Sequence, residues 1–186
     1  EAEFKDLLGR NLIGIMIGAL PPMDANLRWT LYEWLETEAL WRHQASLAEA
    51  ISSGSSGDWG AMRAALEEPV VRAMSLRPAP DLIYRTVDAG EIDIGPVSAK
   101  RRDMVILCLP GATQALLADG TPSAELIFGG HRKAPDGTQL ADHPLHACPA
   151  MDMAMGGMTG ILAALLSAGR IQGLPASLIV RVSDWT

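Results

Sequence analysis

The stretch from residue 11 to residue 51, NLIGIMIGALPPMDANLRWTLYEWLETEALWRHQASLAEAI, restricts the fold more than any other part of the sequence. Its first third is uncharged and apolar on every side of a helix, a pattern typical of deep burial. The remainder places apolar residues at helical spacing between charged ones, which predicts an amphipathic helix. Because proline removes a backbone donor, we expect a break or kink at Pro21 and Pro22.

The rest of the sequence adds further helices and a small β part. A helix is predicted for WGAMRAALEEPVVRAMSL, with Asp58 as its N-cap, and another for AMDMAMGGMTGILAALLSAG, ending at Gly169. The stretch from Pro110 to Pro144 is rich in Gly, Pro and Asp and is expected to be irregular. Extended segments are predicted for RPAPDLIYRTV, EIDIGPVS, DMVILCL and SLIVRV. We therefore expect a mainly α-helical fold with a minor β part.

The length and charge of the chain limit its possible domain organisation and partners. The chain has 186 residues, which suits one domain. The opening EAEF looks like the remnant of a secretion leader and cloning site, so the expected domain covers residues 5–186. A net charge of −7 without a basic run argues against nucleic acid as a partner. The apolar stretches fall short of the ~20 residues that a membrane span needs, and the native compartment stays open.

The segment HPLHACPAMDMAMGGM contains the most informative candidate, Cys148. It follows a long coil and precedes a helix, whose free N–H groups favour a thiolate over a thiol. The sulfur could be a packed core atom, a nucleophile with His146 as base, or a zinc ligand with His143, His146 and Asp152. It could also be the axial ligand of a porphyrin iron. The residues alone leave these four alternatives open.

A porphyrin makes demands that the sequence meets at several places. The small residues of AMGGMTG, directly behind Cys148, would let a helix backbone approach the flat ring. The apolar NLIGIMIGAL, with Gly18, could cover the other face of the ring. Arg85 and His146 could hold the two propionates of heme b, iron protoporphyrin IX.

In these features the chain resembles the C-terminal half of the cytochrome P-450 superfamily, whose members hold heme through a cysteine thiolate. The resemblance covers nearly the whole chain. It implies a reduced P-450-like fold with Cys148 as iron ligand and His146 and Arg85 on the propionates. The segment FGGHR looks like the aromatic-to-arginine step before the cysteine loop, which adds Arg132 to the candidate cofactor-binding residues. The other segments that carry the resemblance are NLIGIMIGALPPMDANLRWTLYEWL, VVRAMSLRPAPDLIYRT, DMVILCL and HACPAMDMA.

The departures from the family pattern favour peroxide chemistry over ordinary monooxygenation. The family's long distal helix presents an acid followed by a threonine, and here that region reads GALPPMDAN. A substrate that already contains an O–O bond needs neither a reductase nor that relay. The chain looks closest to P-450-like domains fused to fatty-acid dioxygenases, in which a helix asparagine assists hydroperoxide cleavage. Asn26 is the matching catalytic candidate.

The resemblance therefore implies a heme-thiolate peroxygenase, peroxidase or fatty-acid hydroperoxide isomerase. Its expected partners are hydrogen peroxide or a lipid hydroperoxide and a small organic substrate. The family's N-terminal half normally builds the substrate pocket, so the chain is expected to be either a fragment that lacks this partner domain or a reduced domain with an open distal side. Two other functions remain open. One is a heme-binding module without catalysis, and the other is a zinc-binding structural domain.

Overall fold

The computed structural model describes residues 2–53, 58–120, 122–131, 138, 141 and 147–169, and it shows a mainly helical fold with a small β part. This confirms the expected mainly α-helical fold with a minor β part. The helices are α1 (Ala2–Glu36), α2 (Leu40–Ser53), α3 (Trp59–Leu76), α4 (Leu109–Ala118), α5 (Ala124–Phe128) and α6 (Met151–Ser167). The strands are β1 (Leu82–Thr86), β2 (Glu91–Ile94), β3 (Val97–Lys100) and β4 (Met104–Cys108).

Helix α3 organises the core, because α1, α2, α4 and α6 all pack against it. It begins where the sequence predicts, since the side chain of Asp58 accepts a hydrogen bond from the N–H of Ala61. The fully buried side chains come mainly from α2, α3 and α6. They include Leu40, Leu47, Leu66, Met74, Met155, Met158 and Leu162.

The β part consists of two antiparallel pairs, β1 with β4 and β2 with β3. Strands β2 and β3 form a hairpin inserted between the other two, and Gly95 turns it with a φ of 59°. Arg85 lies on β1 opposite Val105 of β4. These strands follow the predicted extended segments. The fourth segment, SLIVRV, lies outside the described residues.

Helix α1 contradicts two expectations. It runs unbroken through Pro21 and Pro22, and the break comes instead between α1 and α2, where Glu38 has a φ of 56°. The two prolines remove hydrogen bonds to the carbonyls of Ile17 and Gly18. Both of those residues are exposed, so water can satisfy the freed carbonyls and the helix continues.

The first third of α1 is exposed, so the expectation of deep burial was wrong. Burial along α1 begins around Ala19 to Met23, where the helix reaches α3 and α6. Up to Leu20, seven large apolar side chains of the helix are 48% to 67% exposed: Leu7, Leu8, Leu12, Ile13, Met16, Ile17 and Leu20. No helix in the described residues is both long and apolar enough to cross a membrane.

The region expected to be irregular contains two helices in its described part. Helix α4 carries Pro110 in its first turn, which helices accept because that N–H has no intrahelical partner. Helix α5 is capped by Ser123, whose hydroxyl accepts from the N–H of Leu126, and it ends at Gly129 with a φ of 76°. The prolines and glycines here mark helix ends.

The stability of the α1–α2 junction should depend on pH through His43. Its ring lies 4.5 Å from that of Trp34, centroid to centroid. Burial, and next the charge of Arg42, lower the pKa of His43 below its ordinary value of ~6.5, while Glu68 opposes them. A protonated His43 is therefore disfavoured in the folded state. The contribution that neutral His43 makes to stability is complete above its ordinary pKa. This contribution is lost as the pH falls below that value toward the lower pKa of the folded state.

We expect the free energy of unfolding, measured by urea titration, to decrease more between pH 7.5 and 5 for this chain than for His43→Gln. Glutamine has no proton to gain in this range. An equal decrease in both proteins would show that His43 does not contribute to the pH dependence.

Candidate functional site

Cys148 is held in place by its backbone. Its N–H donates to the carbonyl of Phe128, the last residue of α5, at 2.8 Å. The glycines after Phe128 adopt positive φ values of 76° and 105°, which turn the chain away from α5. Ala147 is completely buried, whereas Cys148 itself is half-buried and carries a free thiol. The cysteine is thus fixed at its backbone while its side chain remains partly accessible.

Helix α6 begins directly behind this cysteine. Its N-cap, Ala150, offers no side-chain acceptor to the first N–H groups of the helix. Asp152 is the one acidic residue of the first turn. The free N–H groups and the helix dipole make this end of α6 electropositive, which suits a nearby thiolate. The arrangement matches the position that the sequence predicts for Cys148.

One face of α6 packs into the core, whereas the opposite face is uncharged and built partly from glycine. We call Met153, Gly156, Gly160 and Ala164 the α6 outer face. Met153 is 64% exposed, and a Cβ added at Gly156 or Gly160 would meet nothing within 4 Å. Glycine costs a helix about 1 kcal/mol relative to alanine, and no packing in the described residues requires it at these two positions. The face is therefore accessible to a flat apolar ligand.

Helix α1 crosses α6 beside this face. A Cβ added at Gly157 would lie 3.4 Å from the sulfur of Met23, an ordinary van der Waals contact, so the two helices meet at this position. Gly18 is exposed, and a Cβ there would meet nothing within 4 Å. It lies five residues before the crossing, or about 7.5 Å along the helix axis. The apolar first part of α1 thus extends beyond the point where it meets α6.

Asn26 has a structural partner that the sequence does not reveal. It is buried on α1, and its amide forms two hydrogen bonds with the backbone of Ala79. Its Nδ2 donates to the carbonyl of Ala79 at 3.1 Å, and its Oδ1 accepts from the N–H of Ala79 at 3.0 Å. The residue therefore joins α1 to the loop between α3 and β1. A catalytic role for Asn26 stays a prediction.

The remaining candidates are spread over the chain. Arg85 is exposed on β1, and its Nη1 donates to the carbonyl of Tyr84 at 2.8 Å. His146 and Arg132 lie outside the described residues, as does His143 of the zinc alternative. Among the described residues, no group of three His, Cys, Asp or Glu side chains could hold a metal ion. Cys148 thus lies just before α6 and Gly18 lies on α1, which contacts α6, while Arg85 lies on the sheet.

Sequence reasoning missed a cluster around Trp29. The ring of Trp29 lies edge-on to that of Tyr32 at 6.0 Å, and the guanidinium of Arg77 lies 5.2 Å from the first ring and 5.1 Å from the second. An open cavity of about 500 Å³ lies beside it, lined mainly by the residues from Leu76 to Asp81. The sign of this cluster in the sequence was the spacing of Trp29 and Tyr32, which are three residues apart and therefore neighbours on one helix face.

No model of a protein family matches this chain, and no curated protein matches it either. The functional assignment therefore depends on the residues and geometry described above.

Replacing Asn26 should destabilise the protein. Asn26→Ala removes both hydrogen bonds and leaves the N–H and carbonyl of Ala79 without these partners. We expect the free energy of unfolding to fall by about 1–3 kcal/mol in a denaturant titration. The matched control is Gln114→Ala, which removes one exposed hydrogen bond to the carbonyl of Leu76 and should cost less than ~0.5 kcal/mol. Equal losses in the two variants would contradict the structural role of Asn26.

Proposed function

We propose that this chain is a heme-thiolate protein of P-450-like type, in which the sulfur of Cys148 is the axial ligand of the iron. The observation that carries the proposal is the uncharged α6 outer face directly behind a backbone-anchored, partly accessible cysteine. The order of the helices and strands along the chain, which parallels the resemblance in the sequence, adds support.

The residues present fit a porphyrin at this position. A flat apolar ring needs a surface without protruding side chains or charges, and Gly156 and Gly160 supply one on α6. For the opposite side of the ring we propose the apolar first part of α1, which contains Gly18 and extends beyond the contact with α6. The propionates need cationic partners, for which we propose Arg85, His146 and Arg132. A guanidinium carries five donors, and the bond of Arg85 to Tyr84 uses one of them.

In the proposed reaction the protein uses hydrogen peroxide or a lipid hydroperoxide and a small organic substrate. When bound, heme with a thiolate ligand supplies electron donation that weakens an O–O bond. Cys148 would bind the iron, and the apolar residues of α1 and α6 would exclude water from the ring. Asn26 would orient the hydroperoxide, which requires its amide to release the backbone of Ala79.

The ligand assignment can be tested by absorption spectroscopy. We expect the purified protein, reconstituted with hemin, to bind one heme and to show a strongly red-shifted Soret band after reduction and addition of carbon monoxide. Cys148→Ala should lose the shifted band because no thiolate remains at that position. The matched control is Cys108→Ala, which removes the other free thiol and should keep the band. A shifted band in Cys148→Ala, or its loss in Cys108→Ala, would contradict the assignment.

The position of the ring can be tested separately from its ligand. Gly156→Leu places a large side chain on the α6 outer face, where the folded chain has room for it. We expect unchanged or slightly increased stability, since leucine favours helix by up to ~1 kcal/mol. The dissociation constant for heme, measured by titration, should rise at least ~10-fold. Gly9→Leu, on α1 and also in open space, is the control and should leave heme affinity unchanged.

A second candidate function is heme binding without catalysis. The observation that favours it is the pair of hydrogen bonds between Asn26 and Ala79, which occupies the amide that catalysis would need. Product formation from peroxide and an organic substrate at a rate no higher than that of free hemin would support it. A rate well above that of free hemin would favour the enzyme.

A further inference from the structure

The exposed part of α1 carries a row of residues beside the face by which the helix packs further along the chain. The packed side is defined by the buried residues Asn26, Thr30 and Trp34. At 100° per residue, a row spaced by three or four residues lies roughly 125° around the helix from these three residues. We call it the α1 outer row: Asp6, Arg10, Ile13, Ile17, Leu20, Asp24 and Arg28.

The centre of this row is apolar and its two ends are charged. Ile13, Ile17 and Leu20 are 59%, 67% and 51% exposed. Arg10 pairs with Asp6 at 2.9 Å, and Arg28 pairs with Asp24 at 2.8 Å, with all four side chains at least 60% exposed. Spacings of three and four residues that alternate from Arg10 to Asp24 are those of a helix that packs lengthwise against another helix.

The charges make the row complementary to itself in one arrangement. Arg10 and Asp24 are each seven residues from Ile17, and Asp6 and Arg28 are each eleven residues from it. In an antiparallel pair with Ile17 on the twofold axis, Arg10 therefore lies opposite Asp24 of the second copy. Asp6 lies opposite Arg28 of the second copy. Each end of the pair then holds two acids and two arginines in alternation.

The area is sufficient for a specific contact. Residues 6 to 28 span about 34 Å of helix at ~1.5 Å per residue. A large apolar side chain removes ~60–120 Å² from water when it is buried. The apolar centre with the stems of the four charged residues thus supplies on the order of 500 Å² per copy. Two copies reach the ~1,000 Å² expected of a specific interface.

We propose that the chain forms a twofold-symmetric, antiparallel dimer through the α1 outer row. Ile17 packs on Ile17 of the second copy at the axis, flanked by Ile13 and Leu20, and the charged ends fix the register. An isologous contact of this kind closes on itself and does not propagate into fibres. The proposal does not depend on heme binding or on the identity of Cys148.

The apolar centre is tested by analytical ultracentrifugation at micromolar protein concentration, with and without bound heme. We expect a dimer for the unchanged chain and a monomer for Ile17→Arg, which brings two like charges together at the axis. The matched control is Leu12→Arg, which removes another large apolar side chain, 53% exposed, from a different side of α1 and should leave the dimer intact. A monomeric unchanged chain, or a dimeric Ile17→Arg, would overturn the proposal.

The register is tested with two variants that exchange charges without altering the composition. One variant carries Asp6→Arg with Arg10→Asp, and the other carries Asp24→Arg with Arg28→Asp. On its own, each variant places like charges opposite each other at both ends of the pair. The dissociation constant of its homodimer should therefore rise at least ~10-fold. When the two variants are mixed, a heterodimer places opposite charges facing each other at both ends. This heterodimer should be as tight as the original dimer. Failure of the mixture to recover affinity would overturn the antiparallel register.

Discussion

The close crossing of α1 over α6 at Gly157 is the contact on which the candidate site depends. The sulfur of Met23 lies within contact distance of Gly157, and the two helices meet about two turns into α6. The crossing fixes the apolar first part of α1 relative to the outer face of α6. A second tie, the pair of hydrogen bonds between Asn26 and Ala79, holds the same part of α1 to the loop after α3.

The sequence was informative where structure is determined locally. The predicted α3 coincides with the observed helix because Asp58 caps it, and α6 follows a continuous run of helix-compatible small and apolar residues. Cys148 was placed correctly ahead of α6 for the same reason. The strands likewise follow from short β-branched runs bounded by glycine, proline and charged residues.

The features that could not be predicted depend on contacts distant in sequence. The partner of Asn26 lies 53 residues away, so a buried asparagine on a helix gives no local sign of it. The exposure of Ile13 and Ile17 is also a property of what surrounds α1, because composition alone indicates burial without indicating a partner. Pro21 was misread because its effect depends on whether the freed carbonyls can reach water.

The two proposals use different parts of α1. The proposed heme site involves Gly18 and the region near the α6 crossing, whereas the proposed dimer uses the row centred on Ile17. Adjacent residues of a helix point about 100° apart, so both surfaces can be used at the same time. The exposure of apolar side chains on the first part of α1 then has two separate explanations. One is the proposed heme site, and the other is the proposed dimer contact.

The bond between iron and the sulfur of Cys148 is the central claim, and X-ray absorption at the iron edge tests it most directly. In the heme-loaded protein the account predicts four porphyrin nitrogens and one sulfur around the iron, with the sulfur replaced by a nitrogen or oxygen ligand in Cys148→Ser. Iron surrounded only by nitrogen and oxygen in the unchanged protein would contradict it. A sulfur ligand that persists in Cys148→Ser would contradict it equally.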